Sequence, residues 1–113
     1  MATVPEPFHC EVVPEREGVR VIPKGELDLA TVGALDDVID ELRGAGFRHI
    51  VLDLRELTFI DSTGLRTILR LNQSAEAGEL ILELTPGNPQ VQRIFAMTRT
   101  LDELPFIQPK RPT

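Results

Sequence analysis

The 113-residue chain has no tryptophan, no tyrosine, one cysteine and two histidines, and its twelve Lys and Arg face eighteen Asp and Glu. Each scarcity excludes something. Cys10 alone closes no internal disulfide, and with His9 and His49 it forms no cluster at metal-ligand spacing, so neither a metal nor any other cofactor is expected. The net charge of −6 opposes a nucleic-acid partner, which needs clustered cations, and favours a basic protein surface. Phe8, Phe47, Phe59, Phe95 and Phe106 are too dispersed to stack bases and read as core residues. No apolar run nears the ~20 residues of a membrane span, and the proline-containing start has neither a basic nor an apolar signal region. A single cytoplasmic domain that does not enter the membrane is the expectation.

What is present is an alternation of strand and helix patterns. Residues 1 to 8 read as a loose lead-in. Cys10 to Val13 and Val19 to Pro23 read as two strands joined by a Pro14 to Gly18 loop, with Pro23 at a strand end or edge. Val32, Leu35, Val38 or Ile39, and Leu42 form one helical stripe that ends at Gly44 and Gly46, with Asp28 or Thr31 as its cap. Ile50 to Leu54 is an apolar run expected as the central strand, covered on both faces. A second helix spans about Ser62 to Ala77, and Leu80 to Leu84 is another buried strand. Asn88-Pro89 opens a third helix, with Val91, Ile94 and Phe95 on its inner face. The prolines at 109 and 112 give residues 108 to 113 the pattern of a disordered tail. The sum is an α/β domain with a mixed sheet of four or five strands and helices packed on it.

Two acidic loops are expected to converge, each following a strand and preceding a helix: Gly25-Glu26-Leu27-Asp28 and Thr58 to Gly64. Together they put Asp28 and Asp61 beside the Ser62 hydroxyl at a helix start, at the carboxyl end of a parallel strand where open α/β sheets place functional groups. On residues alone, plain capping by Asp61 or Ser62 accounts for this, with Gly64 permitting close packing. A phosphate-loop glycine pattern is absent, and no histidine base lies near Ser62, since His49 belongs at the opposite end of the sheet. Asp53 with Asp61 and Ser62 offers a second reading, a small phosphoryl-transfer enzyme, against which Asp53 is more simply a strand-end cap.

The order of elements, Gly25-Glu26-Leu27-Asp28, and the run from Val51-Leu52-Asp53-Leu54 through Phe59-Ile60-Asp61-Ser62-Thr63-Gly64-Leu65 resemble the STAS domain family and, within it, the bacterial anti-sigma factor antagonists. The resemblance covers residues 9 to 107. It implies a non-enzymatic regulator of transcription whose Ser62 is phosphorylated by an anti-sigma factor that is also a serine kinase. The unmodified form binds that kinase, the phosphorylated form releases it, and a serine phosphatase resets the switch. Asp28, Asp61, Thr63 and Gly64 match the positions that support the phosphosite and the partner contact. The chain departs from the family where a final helix is usual: Leu104-Pro105-Phe106-Ile107 is followed only by Gln108 to Thr113. A homodimer, or a STAS subunit of a larger assembly such as a lipid-transport complex or stress-signalling scaffold, would cover the surface so exposed.

Overall fold

The computed structural model describes residues 7–107. Its elements are β1 (His9–Glu15), β2 (Gly18–Leu27), α1 (Val32–Gly44), β3 (His49–Asp53), β4 (Leu57–Ile60), α2 (Ser62–Glu76), β5 (Ile81–Thr85) and α3 (Pro89–Met97). The five strands form a mixed sheet in the order β1-β2-β3-β5, and β4 also pairs with β2. β1 and β2 are antiparallel; β2 with β3, β2 with β4, and β3 with β5 are parallel.

The expected central strand is central: Ile50 pairs with Val19 on one side and Leu82 on the other. Ile50 and Leu52 are fully buried, as are Val19 and Val21 in the alternating stretch of β2. Leu35 and Ile39 of α1, Leu65 and Ile68 of α2, and Val91 and Phe95 of α3 join them in one core. Each such aliphatic side chain contributes roughly 1.5–3 kcal/mol by leaving water. On the opposite face of β3, Val51 is also buried, beside Arg20 and Glu83 in register and near His49 and Ile107.

Helix signals read from the sequence are realised with small shifts. α3 begins as expected, with the Asn88 side chain accepting the Val91 N–H at 2.9 Å and proline in the first turn. Asn88 also donates to the Leu57 carbonyl oxygen at 3.2 Å, which ties α3 to β4. α2 ends before Gly78, whose φ of 82° suits glycine. α1 starts at Val32, and Thr31 precedes it without a side-chain cap bond.

Several expectations change. Phe47 and Phe59, read as core residues, lie at the surface, and Ile81 in the strand read as buried is 59% exposed, because one face of β5 is not covered. The segments Gly25 to Leu27 and Thr58 to Ile60, read as loops, are strand: they are the end of β2 and most of β4, paired with each other. The hairpin loop is shorter than Pro14 to Gly18, because β1 runs to Glu15 and β2 starts at Gly18. Pro23 lies inside β2 opposite Cys10, not at a strand end but where the other side of β2 is locally an open edge. Its missing N–H is tolerated there because β3 pairs only as far as Val21 and β4 only from Gly25.

Beyond α3 the chain returns to the sheet. Leu84 N–H donates to the Pro105 carbonyl and Ile107 N–H to the Leu84 carbonyl, making a single parallel bridge at Phe106, whose ring meets Phe95 edge-on at 5.1 Å. Among the described residues no helix follows Met97. Phe8 packs against the core. The reading of 108 to 113 as a disordered tail, and most of the lead-in, lie outside the described residues.

Candidate functional site

The site is built where β2 and β4 end together. Glu26 pairs with Phe59 and Leu27 with Ile60, so Asp28 and Asp61 leave adjacent strands, ~4.8 Å apart, at the same level. The Asp61 N–H donates to the Leu27 carbonyl at 3.2 Å. Asp61, with extended backbone, then caps α2: its Oδ1 accepts the Gly64 N–H at 2.9 Å, and its carbonyl accepts the Leu65 N–H at 3.0 Å. Gly64 lets this helix start press onto β2. A Cβ there would sit 2.8 Å from the Leu27 carbonyl oxygen and 2.8 Å from Ile60 Cγ1.

With Asp61 as the cap, Ser62 is the first helical residue, exposed, and without a hydrogen-bond partner among the described residues. The carboxyl-end position expected for it is real, but the strand is β4 rather than β3. Thr63 is half-buried beside it. Asp28 is held by a turn: its Oδ1 accepts the Ala30 N–H at 3.0 Å, and its own N–H donates to the Thr31 hydroxyl at 2.9 Å. That hydroxyl donates to the Glu26 carbonyl at 2.7 Å. Thr31, considered only as a helix cap, is the residue that fixes the Asp28 loop. Leu29 is 77% exposed and Phe59 47%, so apolar surface stands next to the carboxylates. Exposed aromatic and leucine side chains beside a charged rim suit a protein contact.

Asp53 does not join this site. Its neighbour Leu52 aligns with Val21, whereas Ile60, neighbour of Asp61, aligns with Leu27; six residues of β2 separate them, roughly 20 Å. Asp53 is buried and engaged by Arg20 at 3.1 Å and by the Arg55 side chain at 2.7 Å, and its Oδ1 also accepts the Arg55 backbone N–H. Burial pushes its carboxyl up, but the Arg55 hydrogen bonds and charge, with Arg20, outweigh that and hold it below the usual carboxylate range. Arg20 also donates to Thr85, so the three strands β2, β3 and β5 are bound through one guanidinium. The constellation of Asp53, Asp61 and Ser62 is therefore not assembled.

The remaining candidates are structural. Burial pushes the Cys10 thiol up to about 11, which keeps it unreactive at neutral pH. His49 lies at the start of β3 with Nε2 3.0 Å from Glu83. Among the described residues no group of three or more His, Cys, Asp or Glu could hold a metal ion. None of the described helices is long and apolar enough to cross a membrane.

An exposed serine on a capped helix start, beside acidic and apolar surface, can accept a group from another protein, and the backbone N–H groups of the first turn favour an anion there. Comparison with known proteins agrees in fold and in family. The STAS domain profile matches residues 12–111. The anti-sigma-B factor antagonist of Staphylococcus aureus is 30% identical over 78 residues, covering 69% of this chain and 72% of that protein. An anti-sigma factor antagonist from Mycobacterium paratuberculosis superposes with a TM-score of 0.77 at 22% identity, over 96% of this chain and 92% of that one. SpoIIAA, an anti-sigma factor antagonist solved in an unphosphorylated form, gives 0.69 at 23% identity over 91% and 90%. These structural likenesses concern the fold. With its strand order, its Asp61-capped helix and the matched sequence, the chain belongs to the STAS domain family, among the relatives of anti-sigma factor antagonists.

Proposed function

We propose that this protein is a non-enzymatic anti-sigma factor antagonist, acting in the cytoplasm, that binds an anti-sigma serine kinase while Ser62 is free and releases it once Ser62 is phosphorylated. The observation that carries the reading is the state of Ser62: exposed, first in α2, and spared from capping because Asp61 makes that bond. Asp28 and Asp61 flank it and, with Leu29 and Phe59, form the surface the kinase would meet. Thr63 and Gly64 support it, the first from a half-buried position and the second by allowing the close approach of α2 to Leu27. A serine phosphatase resets the switch.

Magnitudes make the switch workable. A phosphate adds about −1.5 to −2 charges. At an effective dielectric of ~20, each pair that the phosphate forms with a kinase carboxylate ~5 Å away costs about 3 kcal/mol, and ~1.4 kcal/mol is already tenfold in affinity. The helix start that carries the phosphate stabilises it, so the modification acts on the complex and spares the fold. The test is incubation with the cognate kinase and ATP, phosphopeptide mass spectrometry, and calorimetry of both forms with the kinase. Phosphate on a residue other than Ser62, or equal binding by the two forms, removes the mechanism.

A further inference from the structure

The charges at the start of α2 are ordered against the helix dipole, which favours anions in a first turn and cations in a last one. After the cap Asp61, the first turn of α2 holds no acidic residue, and the residue that follows Leu65 is a cation, Arg66. Arg66 is exposed, and among the described residues it makes neither an ion pair nor a side-chain hydrogen bond. The other arginine of α2, Arg70, has Asp36 at 3.9 Å. Asp61, the acid nearest to Arg66 in sequence, is engaged through Oδ1 by the Gly64 N–H.

Arg66 lies four residues after Ser62 and therefore on the same face of α2, one turn along. A long side chain in a helix leans back toward the N-terminus and covers the residues three and four places earlier, here Thr63 and Ser62. Cβ atoms at that spacing are about 5–6 Å apart, and an anion followed by a cation four residues on is the favourable order. The other charges around the Ser62 hydroxyl are carboxylates, since Asp28 and Asp61 flank it. A phosphate there faces two like charges and one free guanidinium, whose paired N–H groups match phosphate oxygens.

We propose that Arg66 holds the phosphate of phosphorylated Ser62 within the chain, an inference that rests on Ser62 as the phosphosite. Modification turns a cation misplaced at a helix start into an ion pair one turn long, which offsets the repulsion from Asp28 and Asp61. The released form thereby gains a stabilisation of its own that needs no partner, and its phosphate is fixed along the surface of α2. Arg66 is a positioning residue for the phosphate and takes no part in its transfer.

The test installs phosphoserine at position 62 during synthesis, so no kinase is needed, and compares the full chain with Arg66→Gln and Arg66→Lys, each with serine or phosphoserine. Without phosphate, Arg66→Gln should melt at or slightly above wild type, because a cation leaves the positive end of the helix. With phosphate, it should melt about 3 °C below phosphorylated wild type. By phosphorus NMR, its phosphate should take up its second proton about half a pH unit higher than in wild type, where that step lies near the usual value of about 6. Asp28 and Asp61 beside the serine, Arg70 on α2, Asp36 on α1 and Arg93 on α3 are the same in both proteins, so the differences report Arg66. Arg66→Lys, which keeps the charge, should recover most of both differences. The inference is overturned if Arg66→Gln changes the melting temperature alike with and without phosphate, if it leaves the phosphate titration where wild type has it, or if the lysine variant behaves as the glutamine one. Any of these results leaves Ser62 standing as the phosphosite, whereas a kinase that modified another residue would not move these readings.

Discussion

Gly64 rests against the Leu27 carbonyl so closely that the hydrogen of its Cα occupies space no side chain could take: a Cβ would lie 2.8 Å from that oxygen. This contact sets the distance between the start of α2, which carries Ser62, and the end of β2, which carries Asp28.

Gly64→Ala is therefore expected to destabilise the fold by about 1–3 kcal/mol, the range for forced overpacking, despite the better helix propensity of alanine. Urea denaturation measures it. Because the shift moves Ser62 away from Asp28, kinase binding at a temperature where the variant is folded should also weaken. A variant as stable as wild type contradicts the packing argument.

Asp61 and Ser62 should separate cleanly. Asp61→Ala removes the side chain that accepts the Gly64 N–H and is expected to cost about 0.5–2 kcal/mol. Ser62→Ala, at an exposed and partnerless side chain, should stay within about 0.5 kcal/mol. Equal losses in the two variants would mean that the serine is part of the cap.

Ser62→Asp should mimic the modified state. The added charge sits at the positive end of α2 but beside Asp28 and Asp61, and the two opposed effects should leave the melting temperature close to wild type. Kinase affinity should drop at least tenfold, read by calorimetry. Ser62→Ala should keep wild-type affinity and take up no phosphate.

Asp53 gives the pH dependence a definite sign. Its folded carboxyl titrates below the unfolded value of about 3.9, so its stabilisation is present above that value. It is lost as the pH falls through the lower folded value. Asp53→Asn, which leaves Arg20 and Arg55 without their anion, should lose about 1–3 kcal/mol at pH 7. Its stability should then fall less than that of wild type between pH 5 and 3. Parallel curves for the two proteins would place the acid sensitivity elsewhere.

The helices, the existence of β3 and β5, and the position of the serine are legible in the sequence, because these rest on local physics. Apolar residues at helical spacing marked α1 through Leu35 and Ile39. Asn88-Pro89 marked the start of α3, and the unbroken apolar run Ile50 to Leu52 marked a strand with neighbours on both sides. Asp-Ser at the head of a helical pattern puts a hydroxyl at a helix start.

The tertiary structure decided the rest. β4 was illegible because the pairing shifts between Gly25 and Glu26: β4 advances two residues, from Leu57 to Phe59, while β2 advances one. Thr58 is the extra residue, so Leu57 and Ile60, three apart, are both buried, and the period of two that identifies a strand is broken. Pro23 sits inside β2 for a related reason: the gap between two different parallel partners leaves one side of β2 a local edge there. The choice between Asp61 and Ser62 as the cap, and the removal of Asp53 to a distant arginine pair, depend on register and on side chains far apart in sequence. No local pattern encodes those distances; packing sets them.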